Sequence, residues 1–235
     1  MSGDGTGASP IQLAPGVAAV LATAEIPPSN LGSARRARLT EKERELYFWI
    51  LRRFATDGRP SCVDVRAAAE RLGIEADSAL ETLAREDLVL RSAVGEITVA
   101  YPFSGRPTAH RVRFPSGHEV DAMCAIDALG VAPMFGEPVD VDSRDPLSGD
   151  AIRARVSPDG AVNWSPASAV VVAGAIPSQG DGACCGCCPV LNFFVSPANT
   201  KRWLAEHPEV LGGMISMDEA AAAGRAVFGD VLTLS

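Results

Sequence analysis

The chain has 235 residues, of which 47% are hydrophobic, and a formal net charge of −8. This length and hydrophobic content suffice for one large or two small folded domains, which excludes a wholly disordered protein. The negative charge disfavours nucleic acid as the main partner. No apolar run approaches the roughly 20 residues of a membrane-spanning helix. We therefore expect a protein of the reducing cytoplasm, without signal peptide or membrane anchor.

Residues 1–38 are predicted to form a flexible N-terminal tail. The first part of this segment is rich in Gly, Ala, Pro and Ser and shows little periodicity, a composition that does not bury enough apolar surface to fold. Any order within it is expected only around Ile11 to Ala24.

Residues 39–101 are predicted to form three helices followed by a β-hairpin, the order of a winged helix. The first helix begins at Thr40, which has capping-box spacing to Glu43, and apolar residues recur every four positions as far as Phe54. Two shorter helices are expected over 64–72 and 77–86. After these helices the spacing of the apolar residues changes from that of a helix to that of a strand. Two strands are expected over 88–90 and 97–99, with a turn around Gly95.

Residues 102–235 are predicted to form a mixed α/β catalytic region, so that the fold class of the whole chain is α+β. Strands are expected at 110–114, 118–121, 139–142, 152–156, 169–173 and 190–195, and helices at 123–129, 198–206 and 218–227.

Cys124 and Asp127 form the first candidate site. They are three residues apart in a predicted helix, so their thiol and carboxyl lie on one face. In the first turn of that helix, the exposed backbone N–H groups would favour the Cys124 thiolate and make it a nucleophile. The same spacing is also typical of a small buried cysteine beside a solvated aspartate, and the spacing alone does not separate the two interpretations.

The second candidate site is a cysteine cluster in which four thiols lie within five residues: Cys184, Cys185, Cys187 and Cys188. Thiolates select soft metal ions, and mercury by the same logic. A disulfide between such close cysteines is strained, and four thiolates this close do not easily surround one zinc ion without ligands from elsewhere. The interpretation that remains is a site that binds a metal ion transiently. The three histidines, His110, His118 and His207, are scattered and are predicted to be structural.

From about Leu51 to Phe228 the chain resembles the alkylmercury lyase family. The resemblance rests on a series of landmarks in order: Gly58-Arg59-Pro60, the segment Met123 to Leu129 with Pro133 and Gly136 behind it, Ser148-Gly149, Val156-Ser157-Pro158, the cysteine cluster, Phe193-Phe194, Trp203 and the helix that starts at Asp218.

The resemblance implies an enzyme that cleaves the carbon–mercury bond of alkyl or aryl mercury to a hydrocarbon and Hg(II), for mercury detoxification. It implies that Cys124 is the first catalytic cysteine, that Asp127 handles the proton, and that a member of the cluster is the second catalytic cysteine. Counting back from Phe193-Phe194 favours Cys188, with Cys187 as its rival.

The family implies no resident cofactor. Hg(II) is expected to stay on Cys124 and the cluster until external thiols, or a mercuric reductase as partner, remove it. Three features depart from the family pattern: Cys184 and Cys185 are additional, Met123 stands where some members have an aromatic residue, and Asp145 stands where some have a structural cysteine.

Two other functions fit parts of the sequence. A non-catalytic, thiol-based metal-binding protein would explain the cluster and would bind mercury without releasing hydrocarbon. A metal-sensing winged-helix regulator would explain the helix order and five N-terminal arginines, Arg35, Arg36, Arg38, Arg52 and Arg53. The net charge and the large α/β remainder count against the regulator, which would bind duplex DNA with steep salt dependence.

Overall fold

The computed structural model describes residues 14–23, 32–177, 186–229 and 232. The helices are α1 (Pro15–Thr23), α2 (Gly32–Arg36), α3 (Glu41–Thr56), α4 (Cys62–Leu72), α5 (Ala76–Arg85), α6 (Ala125–Phe135), α7 (Pro197–Glu206) and α8 (Met217–Phe228). None of the helices formed by the described residues combines the length and the apolar character needed to span a bilayer.

Short polar motifs set the starts of these helices. Thr40 with Glu43 forms a full capping box before α3, in which each side chain accepts a hydrogen bond from the other residue's backbone N–H. Ser61 with Asp64 does the same for α4, and Gly73 ends that helix in the left-handed conformation. The three helices predicted over 40–86 are therefore present.

Eight antiparallel strands form the main sheet, in the order β1-β2-β3-β5-β4-β6-β7-β8, and three more form a second sheet in the order β10-β9-β11. The strands are β1 (Val89–Arg91), β2 (Ile97–Ala100), β3 (Phe103–Ser104), β4 (His110–Arg113), β5 (Glu119–Ala122), β6 (Val139–Arg144), β7 (Ala151–Val156), β8 (Val162–Ser165), β9 (Val170–Ala175), β10 (Phe193–Phe194) and β11 (Leu211–Ser216). The chain is therefore mixed α and β with a large antiparallel sheet, in agreement with the predicted class.

One face of the main sheet packs on the core and the other faces solvent. Along β7, Ile152, Ala154 and Val156 are buried while Arg153 and Arg155 are exposed, the alternation expected of a half-buried strand. On the solvent face the arginines pair across strands with aspartates, as Arg155 does with Asp140 at 2.9 Å.

The hairpin β1-β2 continues into the main sheet, because β2 also pairs with β3. The principal core runs through residues on both sides of the expected boundary at 101/102, including Leu46 of α3, Phe103 of β3 and Leu129 of α6. The winged-helix assignment and the division at residue 101 stay predictions, since the order of elements agrees with them while the core is continuous.

Two described parts of the expected tail form helices, α1 within the stretch from Ile11 to Ala24 where order was expected, and α2 after it. Helix α1 packs on β9, β11 and α8, and Val17 is buried there. Its sequence is apolar nearly throughout, so it carries no periodic signal by which sequence analysis recognises a surface helix. The rest of the expected tail, 1–13 and 24–31, lies outside the described residues.

The N-terminal arginines are mostly engaged in the fold. Arg35 pairs with Asp87, Arg38 with Glu86 and Arg53 with Asp57, and buried Arg36 donates a hydrogen bond to the Val227 carbonyl. Four of the five arginines that suggested a DNA-binding surface therefore bind other parts of the chain.

The strand predicted at 190–195 is wrong in extent, because only Phe193 and Phe194 form a strand. The preceding residues turn back on themselves, with the N–H groups of Val190 and Leu191 both bonded to the carbonyl of Cys187. β3, β8 and β11 were not predicted; β11 contains two glycines, which have low strand propensity, and it is held by its pairing with β9.

Helix α6 lies directly against α8. The contact is close because Gly130 faces Gly224: a Cβ at Gly224 would lie 2.8 Å from both the Gly130 nitrogen and the Ile126 carbonyl oxygen. Glycine is the one residue that permits two backbones to approach this closely. This crossing determines where the N-terminal end of α6 lies in the molecule.

Candidate active site

The N-terminal end of α6 carries Cys124 and Asp127. Cys124 is the N-cap residue, with extended backbone dihedrals, and its sulfur accepts a hydrogen bond from the Asp127 N–H at 3.4 Å. The thiol thus takes the place of the Ser or Asp oxygen that usually caps a helix. The Cys124 sulfur also lies within 4.8 Å of a carboxylate oxygen of Asp127, and the helix begins two residues later than expected.

Cys188 approaches from a segment that we call the cysteine loop, residues 186–192. Backbone hydrogen bonds tie this loop down at both ends. The Leu191 carbonyl accepts from the N–H of Ala125 at 2.8 Å, and the Gly186 carbonyl accepts from Ile176 at 2.8 Å. The first of these bonds joins the loop to the residue next to Cys124, so the loop and the helix end meet at one point.

The three side chains form a single buried group. The sulfurs of Cys124 and Cys188 and a carboxylate oxygen of Asp127 all lie within 4.8 Å of one another. The Cys188 thiol donates to Asp127 Oδ2 at 3.7 Å. All three are nearly inaccessible to solvent, at 1%, 6% and 4% exposure for Cys124, Cys188 and Asp127. Among the described residues, no other group of three or more such side chains is placed to hold a metal ion.

Burial changes the protonation behaviour of the Asp127 carboxyl. The loss of water around the carboxylate raises the pKa of Asp127 to about 7, and hydrogen bonds from Cys124 and Cys188 offset part of this increase. Three apolar residues close to it in the chain, Ala125, Ala128 and Leu129, are fully buried. A carboxyl with this pKa both accepts and donates protons in the physiological range.

Burial also acts on the two thiols. It raises the pKa of Cys124 to about 12, and hydrogen bonding with Cys124 together with burial raises the pKa of Cys188 well above its ordinary value. Burial thus opposes the lowering of the Cys124 pKa that we expected from the helix N-terminus. Ionisation of these thiols needs a bound cation or a nearby base.

The other predicted site cysteines lie apart from this group. Cys187 is half-buried and its thiol is within hydrogen-bonding reach of Cys188, but it is not part of the three-residue group. Cys184 and Cys185 lie outside the described residues. Cys62 is on α4, where its thiol donates to the Gly95 carbonyl at 3.2 Å.

Sequence analysis missed a hydrogen-bonded chain beside the cysteine loop. His110 of β4 is buried, and its Nδ1 lies 2.9 Å from Ser143 Oγ on β6. Its ring also hydrogen-bonds the side chain of Asn192, whose amide donates to the Pro189 carbonyl at 2.8 Å. Nothing in the spacing of these residues predicts their meeting, because they come from three separate segments.

The arrangement suits a soft, thiophilic cation that is bonded to a group able to accept a proton. Two thiols supply soft ligands, and one carboxyl supplies or takes a single proton next to them. A closed zinc site requires four protein ligands, and this group offers three.

Known proteins resemble this chain in sequence and in fold. The profile of the family described as alkylmercury lyase matches residues 103–229. The alkylmercury lyase of Staphylococcus epidermidis is 29% identical over 181 residues, which cover 75% of this chain and 80% of that protein. The enzyme of Streptomyces lividans is 28% identical over 188 residues, covering 79% and 84%, and that of Bacillus cereus is 32% identical over 119 residues, covering 51% and 53%.

Among solved structures, the crystal structure of the mercury-bound form of MerB2 has a TM-score of 0.68 at 22% sequence identity. It covers 85% of this chain and 96% of that one. The two chains therefore share a fold over most of their length.

Proposed function

The chain belongs to the alkylmercury lyase family and is an enzyme that cleaves carbon–mercury bonds, and we propose that Cys124, Cys188 and Asp127 carry out the cleavage. The observation that supports this assignment is the buried group itself: two thiols and one carboxyl with a pKa of about 7, all within 4.8 Å. The second catalytic thiol is then Cys188, and its rival Cys187 is its neighbour outside the group.

The first step is capture of the organomercurial cation R–Hg⁺. Asp127, in its ionised form, accepts the proton of the Cys188 thiol, which already donates to its Oδ2. The resulting thiolate and Cys124 replace the weaker ligands of the mercury, because soft sulfur ligands bind this soft cation best. The second thiol proton leaves to solvent.

The second step is protonation of the carbon. Each thiolate that binds mercury pushes electron density toward the carbon and weakens the Hg–C bond. Asp127 then delivers its proton to that carbon, and R–H leaves while mercury remains on the two sulfurs. The balance is R–Hg⁺ plus two thiols giving R–H, a bis-thiolate Hg(II) and one proton, with the same carboxyl acting as base and then as acid. No resident cofactor takes part.

Product release requires other thiols. We propose that Hg(II) passes from the buried pair through the remaining cysteines of the cluster, Cys187, Cys184 and Cys185, to external small thiols or to a mercuric reductase. Cys187 supports this because it is half-exposed and adjoins the Cys188 thiol. Replacing Cys184 and Cys185 by Ser should slow Hg(II) release without slowing cleavage, and unchanged release would rule out their part in the route.

We propose that the protein works in the cytoplasm, where cysteines stay reduced, and that residues 39–101 are a winged-helix-like unit preceding the catalytic region. The exchange of mercury needs free thiols, which a reducing compartment maintains. The three helices α3 to α5 and the hairpin β1-β2 support the winged-helix assignment by their order.

The proposed function is tested by anaerobic incubation of the reduced protein with methylmercury and excess small thiol, with methane measured by gas chromatography. The native protein should release methane, and Cys124→Ser and Asp127→Ala should abolish it. Cys62→Ser, which changes a cysteine remote from the site, is the control and should retain activity. Tight mercury binding without methane from the native chain would favour the non-catalytic metal-binding alternative.

A further inference from the structure

Cys188 lies on a loop, and its position depends on how that loop is anchored. Most of the anchors are backbone hydrogen bonds: two within the turn at Cys187, one from Ile176 to Gly186, one from Ala125 to Leu191 and one from Val172 to Asn192. A side chain supplies a further anchor, because the amide of Asn192 donates to the carbonyl of Pro189, the residue immediately after Cys188. A substitution at Asn192 therefore changes the anchoring of Cys188 without altering the backbone of the site.

The Asn192 amide is itself held in one orientation. Its N–H donates to the Pro189 carbonyl, and its hydrogen bond with the His110 ring raises the pKa of that ring, which is the effect of an accepting amide oxygen. The ring nitrogen on that side must then carry the hydrogen, and Nδ1 must accept from the Ser143 hydroxyl at 2.9 Å. The neutral ring that this pattern requires agrees with burial, which lowers the pKa of His110 to about 4.

The imidazole is fixed by packing as well as by hydrogen bonds. It meets the ring of Phe193, the residue next to Asn192, edge to face with centroids 5.6 Å apart. Since His110 lies on β4 and Ser143 on β6, the central strands of the main sheet hold the ring, and the ring holds the amide. The chain of contacts runs from the sheet to the carbonyl beside Cys188.

We propose that His110 and Asn192 are positioning residues, which fix the Cys188 thiol opposite Cys124 and Asp127 for carbon–mercury cleavage. The inference rests on the function proposed above, since it concerns the geometry of that reaction. Protonolysis needs both sulfurs on mercury while the carboxyl reaches the carbon, and a misplacement of about 1 Å in such an arrangement costs on the order of a hundredfold in rate.

The test uses His110→Phe and Asn192→Leu, which keep the approximate volume of each side chain but remove its hydrogen bonds, and the double variant. Each single variant should lower kcat for methane release about tenfold, the lower end of what loss of an outer partner of a metal site costs, with a much smaller change in KM. The double variant should lose no more than Asn192→Leu alone, because His110 acts through Asn192.

Two further variants separate positioning from folding. His110→Gln retains an N–H donor and should recover part of the lost kcat. The matched control is His118→Phe, because His118 also bonds across the fold, to the Phe54 carbonyl at 2.9 Å, but lies outside the chain of contacts to Cys188. It should lower the melting temperature comparably while kcat per folded protein stays at the native value.

The outcomes distinguish this inference from the proposed function. Absence of methane from the native protein would overturn the function, whatever the variants do. Methane from the native protein, with normal kcat in both single variants or with additive losses in the double variant, would leave the function standing and overturn the positioning role.

Discussion

The two halves of the site are built differently. Cys124 and Asp127 belong to one capped helix that packs against α8 by a close glycine contact, whereas Cys188 lies on a loop held by hydrogen bonds to the start of α6, to β9 and to the residue after β9. The helix delivers two groups in a spacing that the sequence itself specifies. The loop delivers one group whose position depends on its neighbours. The difference explains why the first half of the site was recognised in the sequence and the second remained a choice between two cysteines.

The comparison predicts that methane release requires the Cys188 thiol of the loop and does not require the neighbouring Cys187 thiol. Cys188→Ser should reduce methane release from methylmercury by about a thousandfold or more, since it removes one of the two proposed mercury ligands. Cys187→Ser should lose much less, and the loss should fall on steady-state turnover through slower mercury release. A larger loss in Cys187→Ser than in Cys188→Ser would reverse the assignment.

The helix half should be sensitive to the contact between α6 and α8. Gly224→Leu places a side chain where a Cβ already lies 2.8 Å from backbone atoms of α6, so we expect a destabilisation of about 3 kcal/mol in urea unfolding. Ala222→Leu, on the exposed side of the same helix, is the control and should change stability by less than about 0.5 kcal/mol. Equal effects of the two substitutions would contradict the close-contact account.

Asp127 should lower the stability of the fold at neutral pH, because its carboxyl lies where water is excluded. Its pKa is raised from 3.8 to about 7, so the folded state binds the proton more tightly than the unfolded state. Relative to its value at low pH, the free energy of unfolding is therefore unaffected by Asp127 below about pH 4. It decreases as the pH rises from 4 toward 7, and above 7 the loss stays constant.

Asp127→Asn should accordingly be more stable than the native protein by about 2 kcal/mol at pH 8 and nearly equal to it near pH 4, the pKa difference converted to free energy being the upper limit. Urea unfolding of the reduced proteins at several pH values measures this. The exposed Glu137→Gln serves as the control. A stability difference that does not vary with pH would show that desolvation of Asp127 is not its cause.

The smallest expected effect concerns Asp145, whose hydrogen bonds reach the segment that follows the cysteine loop. Buried Asp145 accepts four hydrogen bonds, from the N–H groups of Leu147, Ser148 and Val195 and from the Asn199 amide. Asp145→Asn turns an N–H toward two of these donors and should cost about 1 to 2 kcal/mol in unfolding free energy. Asp150→Asn, exposed in the same turn, is the control, and equal stability of the two variants would contradict this role.

Most helices and strands could be predicted from short-range sequence patterns. The capping box at Thr40, the period of four along α3 and the glycine stop at Gly73 were legible because they depend on contacts within a few residues. Helix α1 and strand β11 were missed for the opposite reason: α1 is apolar on nearly all sides, and β11 contains two glycines, so both are stabilised by the partners they pack against.

The sequence by itself determined the family of this protein and one half of the candidate site. Cys124 and Asp127 are close in the chain, with Cys124 capping the helix that carries Asp127, and the order of landmarks from Gly58 to Phe228 was enough to indicate the family. Only the tertiary structure brought Cys188 rather than Cys187 into the group, buried Asp127 so that it holds a proton near pH 7, and joined His110 to the loop. These features arise because segments that are distant in sequence pack around the site and exclude water from it. Unlike helical spacing, this exclusion of water is a property of the assembled fold.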